Sequence, residues 1–294
     1  MRTPPPERWA LLGSRGQLGQ ELLQTLAADV VALPRTSIDL TRPETIAPVL
    51  HALRPRGVIN CAAYNLVDQA ESDPAGAFAV NALAVRALAQ VCRELDCTLV
   101  HFSTDQVFGL DESRSTPYRE TDNPGPVNAY GTSKLAGEYF VRALCPNHLV
   151  IRTCGLFGHR GLSTERANFV ERILQRGASG AEIRVVNDQR CTPTAAGDLA
   201  HAVAALLASG RSGLYHFTSA ESCTWYEFAR AIVADAGIAC TVTPVSSAEH
   251  GAAAPRPRHS VLDCAKFDEL RLVARRPWRE ALQDYLRTRR HRLG

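Results

Sequence analysis

Trp9 to Gln20 reads WALLGSRGQLGQ: four apolar residues, glycines at 13, 16 and 19, then the start of an amphipathic stretch. This strand-glycine-helix unit constrains the fold more than any other feature. Gly-x-x-Gly-x-x-Gly allows a sharp turn and lets the backbone approach a pyrophosphate at a helix N-terminus. Gly13, Arg15, Gly16, Gln17, Leu18 and Gly19 are therefore candidate cofactor-binding residues. The alternation repeats downstream, as VVALP then PETIAPVLHAL, GVINCAA then AFAVNALAVRALAQVCREL, and TLVHFST then a helical segment from Ala129. Runs that are apolar throughout, rather than at every second position, belong to strands covered on both faces, as in a parallel α/β sheet. The expected fold class is α/β, a Rossmann-type doubly wound parallel sheet over 8–151 with a smaller C-terminal α/β substrate lobe over 152–294. A segment near 190–218 is placed to return to the first domain.

Composition acts mainly by exclusion. The 294 residues carry 33 basic and 30 acidic side chains, well mixed, so no basic field selects a nucleic acid. The tail RTRRHRLG is locally basic and reads as a solvated, frayed terminus. Nine cysteines, an odd number with no C-x-x-C pair, in a chain too long to need a disulfide framework, point to a reducing cytoplasm. Cys92 and Cys97 lack zinc-ribbon spacing, and no metal site is expected. The N-terminal MRTPPPERWALLG sets three prolines before a short apolar run, and no later segment reads as a membrane span.

About 20 residues after the glycines a dinucleotide site carries an acidic residue for the ribose hydroxyls. Here VVALPRTSIDL supplies Arg35 instead, with Arg15 as a second guanidinium. Two guanidiniums suit a 2′-phosphate, so NADPH is expected over NADH. Asp39 and Leu40 fall where the adenine would lie.

HFSTDQVFG closes the fourth apolar run. Ligands of open α/β sheets bind beyond the carboxyl ends of strands, which puts Ser103, Thr104 and Asp105 where chemistry is expected. Tyr130 and Lys134 stand four residues apart and share a helix face. A phenol with an ordinary pKa of about 10 needs a neighbouring cation to exchange protons near neutrality, and Lys134 is placed to be that cation. Thr104 would hold a carbonyl oxygen. Hydroxyl, phenol and ammonium beside a nicotinamide fit carbonyl reduction.

Together GSRGQLG, INCAAYNLVDQAE, the VNA of Asn81, STDQVFG, YGTSKLAGE, VIRT, NDQRCTPT and RPRHSVLD resemble the extended short-chain dehydrogenase/reductases, and within them the dTDP-4-dehydrorhamnose reductase branch, over nearly the whole chain. The resemblance implies an NAD(P)H-dependent oxidoreductase whose C-terminal lobe grips a nucleotide-sugar. It makes Thr104, Tyr130 and Lys134 the catalytic triad, with Lys134 also bonded to the nicotinamide ribose. It sets Ala62, Ala63, Tyr64 and Asn81 along the cofactor. Asn65, Val67, Asp68, Thr104, Asp105, Gln106 and Gly155 are implied to face the substrate. Asp188, Gln189, Pro193, Thr194, Arg256 and Ser260 are implied to surround the sugar nucleotide, with Arg256 as diphosphate anchor.

The chain also departs from that pattern. Gln106 stands where the branch usually has Tyr, and Cys154-Gly155 where it usually has Ser-Trp, which should remove stacking surface and open volume. The implied substrate is a nucleotide-linked 4-keto-6-deoxy sugar, first of all dTDP-4-dehydro-L-rhamnose, and the chain is compatible with a homodimer. Rivals are an epimerase or dehydratase of the same superfamily and a non-catalytic subunit resembling the regulatory subunit of S-adenosylmethionine synthetase. Dehydration needs an extra acid and base at the strand end, and Asp105 is followed by Gln rather than Glu.

Overall fold

The apolar runs become the strands β1 (Trp9–Leu12), β2 (Val30–Leu33), β3 (Gly57–Asn60), β4 (Thr98–Thr104) and β5 (His148–Thr153) of a computed structural model that describes residues 8–159 and 167–293. Shorter strands follow: β6 (Leu156–Phe157), β7 (Ile183–Val186), β8 (Arg190–Cys191), β9 (Thr194–Ala195), β10 (Gly213–His216), β11 (Cys223–Thr224) and β12 (Val242–Val245). The main sheet has the order β10-β5-β4-β3-β1-β2, and all its pairs are parallel. The parallel Rossmann-type sheet expected from the sequence is therefore present. One detail differs: β2 is the edge strand and is only half-buried, because an edge lacks the second neighbour that seals an interior strand.

The helices are α1 (Gln17–Thr25), α2 (Ile46–Leu53), α3 (Val67–Ser72), α4 (Pro74–Phe78), α5 (Ala84–Glu94), α6 (Ala129–Leu144), α7 (Phe169–Ala178), α8 (Ala196–Ala208), α9 (Trp225–Ala236), α10 (Ser247–His250), α11 (Ala265–Asp268) and α12 (Trp278–Leu293). Helices α1 and α8 cover one sheet face, where Leu18, Leu22, Leu199 and Val203 meet Leu11 and Ile59. On the other face α2, α5 and α6 bring Ile46, Leu50, Leu88 and Val141 against Leu12 and Val58. Each such aliphatic side chain contributes about 1.5–3 kcal/mol when fully buried. A separate cluster joins α7, α9 and α12 through Ile173, Phe228, Trp278 and Leu282.

Two expectations are corrected. Helices α4 and α5 are continuous through a π turn at Ala79–Leu83, and the resulting Pro74–Glu94 helix is, by length and composition alone, apolar enough to cross a membrane. Half of its most apolar window is buried, with packing on α6 and α2, which is the pattern of a core helix rich in alanine. The C-terminal segment stays helical to Leu293 instead of fraying. The side chains of 290–293 and the proline-rich residues 1–7 lie outside the described residues.

The sheet order reverses between β1 and β3, which makes a crevice beyond their carboxyl ends. Register sets Leu12 opposite Asn60 and Thr104 opposite Thr153, so the glycine turn, the loop after β3 and the end of β4 share one rim.

Candidate active site

Gly13 has φ +72°, and a Cβ there would lie 2.6 Å from the Ala62 nitrogen, so the turn and the loop after β3 touch backbone to backbone. Helix α1 begins at Gly16, which offers no side-chain cap, and the first-turn N–H groups of Gln17, Leu18 and Gly19 are left for an anion. The Leu18 and Leu40 side chains belong to the core, so these two candidates can serve a ligand through backbone only. Arg15 is exposed. The exposed Arg35 donates to Asp39 at 3.2 Å, and hydrogen bonds from Thr41, with Arg35 adding to them, hold the Asp39 carboxyl below the usual range. The uncapped first-turn N–H groups of α1, beside a turn that only glycine permits, fit a dinucleotide pyrophosphate.

Asn81 stands behind the loop after β3. It is 1% exposed; its Oδ1 accepts the Tyr64 N–H, and its Nδ2 donates to the Tyr64 carbonyl and to Ser133 Oγ. With both ends of the amide committed, Asn81 holds the loop that carries Ala62, Ala63 and Tyr64.

Helix α6 starts at Asn128, whose Oδ1 accepts the Gly131 N–H at 2.7 Å. A Cβ at residue 131 would lie 2.2 Å from the Gln106 carbonyl oxygen, so only glycine lets the helix start this close to the end of β4. Tyr130, Lys134 and Glu138 then follow one another down a single face. Lys134 is 3% exposed, and its Nζ donates to the Phe102 carbonyl at 2.6 Å. Burial lowers its pKa to about 8, against the pull of the Glu138 carboxylate. The Tyr130 ring reaches the cleft but its hydroxyl is desolvated, which pushes the phenol pKa well up; neighbouring Thr104 opposes the rise and Asp105 adds to it. Burial, rather than Lys134, sets the direction of this shift.

Thr104 Oγ1 donates to Asp105 Oδ1 at 3.0 Å and accepts the Gln106 N–H at 3.2 Å. Ser260 Oγ donates to Asp105 Oδ2 at 2.6 Å, tying the C-terminal RPRHS loop to the strand end. Burial raises the Asp105 pKa despite hydrogen bonds from Ser260, Cys154 and Thr104. Behind these residues Glu138 and Arg152 form a buried bidentate pair at 2.8 and 2.7 Å. The buried hydroxyls of Ser103 and Thr153 have no protein partner among the described residues.

A cleft of about 560 Å³ opens over Thr104, Asp105, Gln106 and Tyr130. Val67, Asp68, Gly155, Gln189, Arg256 and Ser260 are on its wall. Asn65, Asp188, Pro193 and Thr194 are not. Thr194 is fully buried and donates to the Thr192 carbonyl. The Asp188 carboxylate takes the Ser247 N–H and hydroxyl at 2.9 and 2.6 Å, so it secures α10. Arg256 is no free anchor either: it donates to the Ala254 carbonyl at 2.7 Å and to Asp68 at 3.1 Å, clamping its loop onto α3.

Sequence reasoning missed the far wall, which is built from Phe169, Arg172, Arg176, Arg184, Arg190 and Trp225. Arg172, Arg176 and Arg184 have no ion-pair partner among the described residues, and Arg172 and Arg176 share a face of α7 at i and i+4. The stacking surface expected to be lost is present from another source. Trp225 packs on Phe169 at 4.8 Å, and a Cβ at Gly155 would lie 3.0 Å from the Trp225 ring.

A family model described as the RmlD substrate binding domain matches residues 8–291. A probable dTDP-4,6-dihydroxy-2-methyloxan-3-one 4-ketoreductase from Streptomyces antibioticus is 41% identical, with 94% of each chain covered. A dTDP-4-dehydrorhamnose reductase from Burkholderia thailandensis is 39% identical over 92% of this chain and 95% of its own. The crystal structure of the Bacillus anthracis dTDP-4-dehydrorhamnose reductase in complex with NADP superposes with a TM-score of 0.89 at 35% identity, covering 95% of this chain and 98% of that one. A UDP-glucose 4-epimerase from Thermus thermophilus shares the fold alone, with a TM-score of 0.80 at 24% identity over 95% and 99% of the two chains. The glycine cradle, the Thr104, Tyr130 and Lys134 cluster and these matches over almost its full length agree: the chain belongs to the dTDP-4-dehydrorhamnose reductase family of the extended short-chain dehydrogenase/reductases.

Proposed function

We propose that the protein is an NADPH-preferring reductase of a dTDP-linked 4-keto-6-deoxy sugar, first of all dTDP-4-dehydro-L-rhamnose, which it converts to the 4-hydroxyl product. The observation that carries this reading is the cleft itself, which is lined by the Tyr130 phenol, the Thr104 hydroxyl and five arginines. The names of the relatives support the same chemistry. We assign Gln17, Leu18 and Gly19 amides to the pyrophosphate, and Arg15 and Arg35 to a 2′-phosphate, which Arg35 reaches by leaving Asp39. Residues 8–151 with the returning α8 and β10 form the cofactor half, and the remainder forms the substrate lobe. The free cysteines suit the cytoplasm, and a homodimer is the assembly we expect.

Bound NADPH supplies the hydride that the carbonyl carbon receives. The residues of this chain manage the oxygen. Thr104 turns its proton from Asp105 to the ketone oxygen and holds it beside Tyr130. The phenol, kept neutral by desolvation, gives its proton as negative charge develops on that oxygen. The Lys134 ammonium, still charged at pH 7 with a pKa of about 8, stabilises the phenolate and supplies the proton that restores it. We assign Arg172, Arg176 and Arg184 to the diphosphate, which guanidiniums bind bidentately, and the Phe169 and Trp225 pair to the base or sugar. This intact proton-transfer set also weighs against a non-catalytic subunit. Tyr130→Phe removes the transferable proton only, so turnover should fall by roughly 10²-fold or more with the NADPH dissociation constant within about twofold of wild type. A Tyr130→Phe protein with most of its activity would refute Tyr130 as the acid.

A further inference from the structure

Gln106 lines the cleft with Asp105 and Tyr130, and the direction of its amide is fixed by a chain of hydrogen bonds. The Gly131 N–H can only donate, so the Asn128 atom 2.7 Å from it is Oδ1. The Pro255 carbonyl can only accept, so the Asn128 atom 2.9 Å from it is Nδ2. The same Nδ2 donates to the Gln106 side chain at 2.9 Å, which makes that atom Oε1. Nε2 of Gln106 is left with no acceptor among the described residues. The adjacent Asp105 carboxylate accepts from Thr104 and Ser260, one on each oxygen.

We propose that Gln106, oriented by Asn128, selects the sugar by donating from Nε2 to a hydroxyl on the ring carbon next to the ketone. Gln106 and Thr104 line the same cleft, and the Gln106 N–H is bonded to Thr104 Oγ1; with the ketone oxygen on Thr104, the partner assigned to Nε2 is the hydroxyl on the neighbouring carbon. An amide donor in a cleft costs desolvation unless the ligand answers it, so an analogue without that hydroxyl leaves Nε2 unpaired. The inference rests on the ketoreductase reading above and deepens it. Gln106 reads the sugar, and Asn128 is a positioning residue that acts through it.

The test compares two probes, a dTDP-4-keto-6-deoxyhexose with its 3-hydroxyl and the 3-deoxy analogue, by kcat/KM with NADPH and by calorimetric Kd. Wild type should favour the hydroxylated sugar roughly 10- to 100-fold, mainly through KM. Gln106→Leu should bring the ratio close to one. Asn128→Asp keeps the oxygen that caps α6 but replaces the donor that holds Oε1, so the Gln106 amide turns and the ratio should fall in the same direction. A Gln106→Leu protein that discriminates as well as wild type overturns the proposal. An Asn128→Asp protein with the wild-type ratio overturns the part given to Asn128. If no protein turns over either sugar, the ketoreductase reading has failed, and the Kd ratio still decides whether Gln106 selects the hydroxyl.

Discussion

Glu138→Gln tests whether the catalytic helix is held by an ion pair that cannot be cut at one end. The Glu138 and Arg152 side chains are 0% and 1% exposed, and Arg152 has no second carboxylate among the described residues. Its other neighbours are His216 Nε2 at 3.3 Å and the Phe108 ring at 5.0 Å. Burial, aided by Arg152, lowers the His216 pKa to about 3, so the imidazole is neutral and cannot compensate a guanidinium. An amide in place of the carboxylate would therefore leave a buried cation with neutral partners, at a cost of about 3–5 kcal/mol. Domains of roughly 150–250 residues lose about 2–4 °C of Tm per kcal/mol, so thermal unfolding followed by circular dichroism should shift down by roughly 10 °C. The double variant Glu138→Leu with Arg152→Met removes both charges and should recover much of the loss. A Glu138→Gln protein within about 2 °C of wild type would refute the claim of an uncompensated buried charge. The same substitution has a catalytic signature. The Glu138 carboxylate raises the Lys134 pKa against burial, so its removal should move the alkaline limb of the activity profile to lower pH.

Three further outcomes follow from the site. Lys134 is an ammonium below its pKa of about 8 and an amine above it, so kcat should fall as pH rises through that value, and Lys134→Gln should abolish the limb along with most turnover. Gly13→Ala forces a side chain to φ +72° and within 2.6 Å of the Ala62 nitrogen, so NADPH affinity measured by fluorescence titration should weaken at least tenfold. Arg172→Ala and Arg176→Ala should each raise KM for the sugar nucleotide several-fold, with NADPH affinity unchanged, since α7 lines the cleft and not the glycine cradle; steady-state kinetics at saturating NADPH reads this.

The parts of the site that were legible in the sequence are those where function and local structure coincide. Gly13, Gly16 and Gly19 mark a turn that needs glycine for backbone reasons, and Tyr130 with Lys134 needs only helical spacing to share a face. The far wall was hidden because Arg172, Arg184 and Trp225 converge only through tertiary packing. Arg256 was visible as a cation, but its partner Asp68 lies 188 residues earlier, and a guanidinium that looks free in sequence is a clamp in the fold. The same limit applied to titration: spacing put an ammonium near a phenol, while the sign of the phenol's shift depended on burial that spacing does not report. Asn128 could have been noticed as an N-cap, since Asn before AYGTSK is a favoured start signal, but its second bond to Gln106 could not.

The decisive experiment follows the loss of nicotinamide absorbance when the protein is mixed with NADPH and dTDP-4-dehydro-L-rhamnose, with the product analysed for a new 4-hydroxyl. A ketoreductase with this cleft should oxidise NADPH rapidly and NADH more slowly, and should form the alcohol stoichiometrically. No oxidation of either cofactor by a protein that binds NADPH tightly, with this sugar and with related dTDP-4-keto-6-deoxy sugars, would contradict the proposed reaction.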